Sequence, residues 1–124
     1  ISSCHQPHDA DAKLAPFCET EPGISALETL LPLTLRLAEE KVMSLSDAIA
    51  SITSEPASIL GIDGGRLGIG DRADVCIFDP QERWTVDYNS LASAGKNTPF
   101  LGWEMKGRVS QTLLAGQSVY QVNQ

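Results

Sequence analysis

The spacing of apolar positions divides the chain into a helical first half and a β-rich second half. From Ile24 to Val42, the residues Ile24, Leu27, Leu30, Leu31, Leu35 and Leu37 supply one broad apolar face at helical spacing. Ser25 with Glu28 three residues on has the form of a capping box, so this helix is expected to begin there. Pro32 inside the run predicts a kink, or two short helices in place of one. A second helix is expected over 46–53, capped by Ser44 or Ser46 and burying Leu45, Ile49 and Ile52. A third, over 55–60, carries Pro56 in its first turn and Gly61 as its stop.

The character changes near Asp63, where Gly64, Gly65, Gly68 and Gly70 punctuate the chain. Residues 73–80 read as a strand closed by Asp79-Pro80, and 83–86 as another. Residues 88–102 form a polar loop. Residues 107–114 and 117–122 flank Ala115-Gly116 in the manner of a β-hairpin. At the other end, Ile1-Ser2-Ser3 leads straight into Cys4, His5, His8, Asp9 and Asp11. That is the pattern of a buried strand delivering polar side chains to a cleft, with a loop over 9–24. On such a strand Cys4 and His8 would face one way and His5 the other.

Composition narrows the function classes. A formal net charge of −7 over 124 residues disfavours binding to a phosphate backbone, which needs clustered Lys and Arg, so no nucleic-acid partner is expected. At 42% hydrophobic residues the chain can build a core. No apolar stretch approaches the ~18 residues of a membrane span, and no secretory segment is read at the start. Cys4, Cys18 and Cys76 are odd in number and lack a CxxC spacing, which suits reduced thiols in the cytoplasm. Cys18 and Cys76 are expected to be small buried or loop residues.

The cluster of Cys4, His5, His8, Asp9 and Asp11 contains metal-ligand types, but its spacing supports an independent zinc site poorly, and no metal is assigned. The glycines of 61–70 lack the following Lys-Ser/Thr of a phosphate loop. Glu39-Glu40-Lys41 reads as a solvated helix end. Trp84 and Trp103 read as core of the β-rich part rather than as a stacking platform.

Five segments in order carry a resemblance. Cys4-His5-Gln6-Pro7-His8 is similar to the Asp-His-Ala-Pro-His segment at the eighth barrel strand of dihydroorotases, members of the amidohydrolase superfamily. Glu21 to Pro32 resembles their Pro-Gly-x-x-Gly-Leu-Glu-Thr loop and helix. Pro56 to Gly61 resembles the Asn-Pro-Ala helix, and Gly70 to Val75 the Gly-x-x-Ala-Asp-Leu strand start. Asn97-Thr98-Pro99-Phe100-Leu101-Gly102-Trp103 resembles the Asn-Thr-Pro-Phe-x-Gly motif, which argues for a dihydroorotase over a hydantoinase or allantoinase.

The resemblance implies an α/β fold: the C-terminal end of a (β/α)8 amidohydrolase barrel over 1–62, and part of a small β-sandwich over 63–124. It implies that the chain is the C-terminal part of a larger protein, whose other zinc ligands lie earlier. The position matching Cys4 is the family's catalytic Asp, a hard oxygen ligand and a reversible base. A thiolate is soft and differs in pKa and shape. Cys4 in that position therefore points to lost catalysis, as in the dihydroorotase-like chains that serve as partners of aspartate transcarbamoylase. Gln6 in place of Ala is a second departure. His8 matches the histidine that binds the substrate carboxylate, and Pro22 and Gly23 match the loop whose backbone helps hold substrate; each also has a plain reading, as a loop hydrogen bond and an ordinary turn. His5 is expected to pack or hydrogen-bond.

The expected function is thus a non-catalytic dihydroorotase-like subunit, without cofactor, supporting the aspartate transcarbamoylase catalytic subunit in pyrimidine synthesis. The alternative is a zinc-dependent dihydroorotase that interconverts carbamoyl-aspartate and dihydroorotate, with Cys4 replacing the Asp. Either reading expects an oligomer, and a chain stable only beside a partner or its own N-terminal barrel part, because an isolated last strand exposes an apolar face.

Overall fold

A computed structural model describes residues 1–122. Two short 3-10 turns, Ala10–Lys13 and Phe17–Glu19, precede three helices: α1 (Leu30–Glu39), α2 (Leu45–Ala50) and α3 (Ser54–Leu60). Three strands follow: β1 (Val75–Thr85), β2 (Glu104–Leu114) and β3 (Gln117–Gln121), in one antiparallel sheet of order β1-β2-β3.

Helix α1 is shorter than its apolar pattern. The expected start at Ile24 and the Ser25–Glu28 capping box do not form; residues 27–29 make a turn and Thr29 takes the N-cap position. The reason is a competing partner. One Glu28 carboxylate oxygen accepts the backbone N–H of Ser93 at 2.7 Å, while the Ser25 hydroxyl is buried without a partner among the described residues. The later start also removes the expected kink. Pro32 becomes the third helical residue, where the missing N–H has no intrahelical acceptor in any case. The helix closes with Lys41 in the left-handed region (φ +59°) and Val42 N–H bonded to Leu37 O at 2.9 Å, so that the carbonyls of the last turn are satisfied.

Helix α2 starts where Ser44 accepts the N–H of Asp47 at 3.1 Å, and buries Ala48 against its surroundings. Its Leu45 is exposed. Helix α3 stops at Gly61, which adopts φ +66°.

In the sheet, the expected strands at 73–80 and 83–86 are one strand. Between Asp79–Arg108 and Arg83–Lys106 the register slips, so that residues 80–82 oppose Gly107 alone. Pro80, which cannot donate to a ladder, falls inside this bulge. The β2–β3 hairpin turns on Ala115 (φ +50°) and Gly116 (φ +80°), the two positive dihedrals that a tight twisted hairpin requires. Asp74 fastens this turn to the start of β1, its carboxylate accepting the N–H of Ala115 at 2.8 Å.

Helix α1 packs on β2 at Gly107, where an added Cβ would lie 2.3 Å from the buried Leu35. Beside this contact Val86, Leu91 and Met105 form a buried core, with Leu33, Trp84, Phe100 and Leu101 packed on it. Trp84 donates its indole N–H to Gly107 O at 3.1 Å. Trp103 is not a core residue; it is 45% exposed and meets Phe100 edge-on, with ring centroids 5.3 Å apart. Glu39 and Glu40 are solvated but paired, with Lys106 and Arg36 respectively. Large apolar side chains face outward over much of the surface, among them Phe17, Ile59, Leu67 and Ile69.

Candidate functional site

The opening residues do not form an extended strand. His5 alone pairs in parallel fashion with Ile24, and Gln6 N–H bonds Ile24 O at 2.8 Å. Cys4, just before, has φ +47°, which breaks the alternation that would have set Cys4 and His8 on one face. This region of backbone space admits Asn, Asp and Gly more readily than Cys. The Cys4 thiol is exposed and lies 3.9 Å from the Ser2 hydroxyl.

The two histidines are held in different ways. His5 Nδ1 accepts the N–H groups of Ala26 (3.1 Å) and Leu27 (3.2 Å), so its neutral ring carries the proton on Nε2. It thereby takes the place of a cap for the turn that precedes α1, the hydrogen-bonding role expected of it. His8 Nε2 lies 2.8 Å from Pro22 O and donates to it, which leaves the neutral ring only Nδ1, an acceptor with no hydrogen to give a carboxylate. His8 and the Pro22-Gly23 turn, read separately in the sequence, are therefore brought together. Gly23 needs its hydrogen side chain: φ is +114°, and a Cβ would lie 2.7 Å from the Gln6 side chain.

Sequence reasoning used Asn97 only as part of a motif, yet its side chain joins the pieces of the site. Its Oδ1 accepts His8 N–H at 2.8 Å, and its Nδ2 donates to Gln6 O (3.2 Å) and Gly23 O (3.3 Å). Its backbone carbonyl accepts Ser25 N–H at 3.1 Å. The signal available in the sequence was an Asn between Gly95 and Pro99 in a polar loop, a residue type that bonds backbone readily.

Three open concavities of similar size surround these loops. One of about 480 Å³ lies between His5, Leu27, Glu28 and the sheet, where Trp84, Arg108 and Tyr120 line it. A second of about 500 Å³ is walled by Ile1, Ile24, Leu30 and Leu33, and a third of about 460 Å³ by Lys13, Gly23, Tyr88 and Lys96. Cys4 and His8 line none of the three. Among the described residues, no three His, Cys, Asp or Glu side chains gather as a metal ion requires. The donor set present does not by itself fit zinc, and His8 Nε2 is already committed to a carbonyl. Cys18 sits exposed in the second 3-10 turn; Cys76 lies on β1, where partial desolvation raises its thiol above the ordinary value. No helix among the described residues is long and apolar enough to cross a membrane.

The model of the amidohydrolase family matches residues 8–120. The chain is 47% identical to a dihydroorotase of Syntrophotalea carbinolica over 99% of its own length, and 45% identical to a dihydroorotase-like protein of Pseudomonas aeruginosa over 98%. It spans only 29% and 28% of those relatives. In three dimensions it superposes on D-hydantoinase from Bacillus sp. AR9 with a TM-score of 0.85, covering 96% of this chain and 27% of that one at 22% identity. At that identity the likeness speaks for the fold alone, and it places part of an amidohydrolase barrel in this chain. The chain accordingly belongs to the amidohydrolase family and is related to the dihydroorotases and dihydroorotase-like proteins.

Proposed function

We propose that this chain is the C-terminal portion of a non-catalytic dihydroorotase-like subunit that supports assembly of aspartate transcarbamoylase in pyrimidine synthesis. The observation that carries the reading is Cys4. The residue at the position of the family's catalytic Asp is an exposed thiol, on backbone turned to φ +47°. Proton shuttling at a hard metal centre needs a carboxylate there, and a thiol offers neither its oxygen nor its two-pronged shape. The second support is that His8, the residue matched to substrate binding, spends its Nε2 proton on Pro22 O within the chain. In this reading His8, Pro22 and Gly23 are what is left of a substrate pocket, and the sheet β1–β3 is one layer of a sandwich completed by earlier residues of the parent. The work of the subunit is contact, with the transcarbamoylase catalytic chain and with its own N-terminal barrel part, in the cytoplasm.

A second reading has its own observation. The relative 47% identical to the chain bears the name dihydroorotase, which favours a zinc enzyme that tolerates Cys4. One experiment separates the two: zinc content, ring-opening activity on dihydroorotate and co-assembly with the transcarbamoylase catalytic chain, measured on the full-length protein and its Cys4→Asp variant. The subunit reading expects negligible activity and a transcarbamoylase assembly that fails without the protein. Stoichiometric zinc with turnover in the unaltered protein, raised further by Cys4→Asp, would overturn it.

A further inference from the structure

We propose that Asn97 is the positioning residue of the His8 pocket, the group that decides which way the His8 imidazole faces. The inference rests on the reading of His8 and the Pro22–Gly23 turn as the pocket of the parent protein.

The argument starts from what else could hold these loops. Residues 6–8 and 22–23 are not in regular structure, and the ladder between them amounts to the His5–Ile24 bridge and the Gln6–Ile24 bond. Beyond that bridge, each segment presents a backbone polar group outward: the N–H of His8, the carbonyl of Gln6 and the carbonyl of Gly23. The Asn97 carboxamide meets all three, with its acceptor on the first and its two-hydrogen donor on the others. No other standard side chain of that length presents an acceptor and a double donor on one rigid plane. A carboxylate would set an acceptor oxygen against the two carbonyls, and a hydroxyl could not span them.

A second, independent contact seats the same loop. Gly95 lies so close to the 7–8 segment that a Cβ there would stand 2.4 Å from Pro7 Cβ and 3.1 Å from His8 N. The 95–97 loop is therefore pressed on Pro7–His8 at Gly95 and tied to the same segment by the Asn97 carboxamide. The tie reaches the imidazole indirectly. His8 N and Gly23 O are both fixed by Asn97, and Pro22 O, the acceptor of His8 Nε2, adjoins Gly23. With both ends of the His8–Pro22 bond held, the ring is kept as the Nε2–H tautomer and presents Nδ1 outward. Without Asn97 the bond is free to break and the ring to turn.

His5 supplies an internal control. Its Nδ1 is fixed by Ala26 and Leu27, which Asn97's side chain does not touch. Loosening of the whole fold moves both histidines, whereas loss of a positioning residue moves His8 alone.

The test is the ring-nitrogen NMR spectrum of the full-length protein with labelled histidine, His5 and His8 being assigned by His5→Gln and His8→Gln variants. In Asn97→Ala the ratio of Nε2–H to Nδ1–H tautomer at His8 should fall about fivefold, the effect of one neutral hydrogen bond, with His5 unchanged. Asn97→Asp, which keeps the acceptor for His8 N–H but turns a carboxylate oxygen toward the Gln6 and Gly23 carbonyls, should give a fall at least as large. Should Asn97→Ala not fold, Gly95→Ala reads the same signal by displacing the loop from Pro7. An unmoved His8, or equal changes at His5 and His8, would overturn the proposal. Titration of the unaltered protein with dihydroorotate is read separately. Perturbation of the His8 nitrogens supports the pocket, and their indifference sinks the pocket reading while the tautomer ratio still decides the role of Asn97.

Discussion

The hairpin of β2 and β3 and the loop cluster around His8 are both held by hydrogen bonds, but of different kinds. In the hairpin the bonds run between backbones a few residues apart in sequence, around a turn whose two positive dihedrals fall on Ala115 and Gly116. In the cluster they run from side chains to distant backbone: Asn97 to Gln6 and Gly23, Glu28 to Ser93, His5 to Ala26 and Leu27. A ladder spreads its stability over many equivalent bonds, so one lost side chain matters little. A loop cluster concentrates it in a few side chains, which makes it precise and easily broken.

The largest effect is expected where the two regions meet through helix α1. Gly107→Ala forces a Cβ at φ +88° into the buried Leu35 and should lower stability by about 3 kcal/mol in denaturant unfolding. A loss below about 1 kcal/mol would mean that helix and sheet can slide apart cheaply. Within the cluster, Glu28→Ala removes the acceptor of Ser93 N–H and should cost about 1.5 kcal/mol. The same substitution frees the turn before α1, so hydrogen exchange at Ser93 should rise while that in β2 holds.

Cys4→Asp tests backbone against chemistry. Because Asp enters the left-handed region more readily than Cys, the substitution should change stability by no more than about 0.5 kcal/mol. Activity measured on it then reports chemistry and not folding. A large destabilisation would show that the Cys4 thiol has a structural task. The smallest effect belongs to the hairpin. Asp74 is held below the usual carboxylate range, first by the Ala115 N–H and then by Arg72. A folded value below the unfolded one, about 3.9, stabilises the protein above that pH, and the benefit is lost as pH falls through the lowered folded value. The difference in stability between the protein and Asp74→Asn should therefore shrink in acid and be constant at neutral pH.

The same contrast explains what the sequence could reveal. The hairpin, the Ser44 cap and the Gly61 stop are local features, each decided by residue types within a few positions, and each appears where the pattern placed it. The capping box of Ser25 and Glu28 was equally well formed as a local pattern, and it fails because Ser93, 65 residues away, takes the carboxylate. The strand read over the first eight residues fails at Cys4, whose positive φ leaves no trace in hydrophobic alternation. Residues 73–80 and 83–86 read as two strands because Asp79-Pro80 looks like a terminator; the sheet absorbs it as a bulge. At the site, resemblance brought out Cys4, His8 and the Pro22-Gly23 loop as separate pieces. That His8 meets this loop, and that Asn97 joins the two, depends on pairs up to 91 residues apart and could not be read from spacing.

The bulge in β1 has a consequence for how this protein meets copies of itself. With order β1-β2-β3, both β1 and β3 have a neighbour on one side only among the described residues. On β1 the outer rim is interrupted, since Pro80 has no N–H to offer and residues 80–82 bow out of register. A foreign strand finds no continuous run of donors and acceptors there. β3 is only five residues long, all exposed, and it too is broken: between Thr112–Tyr120 and Leu113–Ser118 the register slips and leaves Val119 as the extra residue. Among the described residues both rims are therefore blunted against the addition of a foreign strand, β1 by Pro80 and its bulge, β3 by its short length and the slip at Val119.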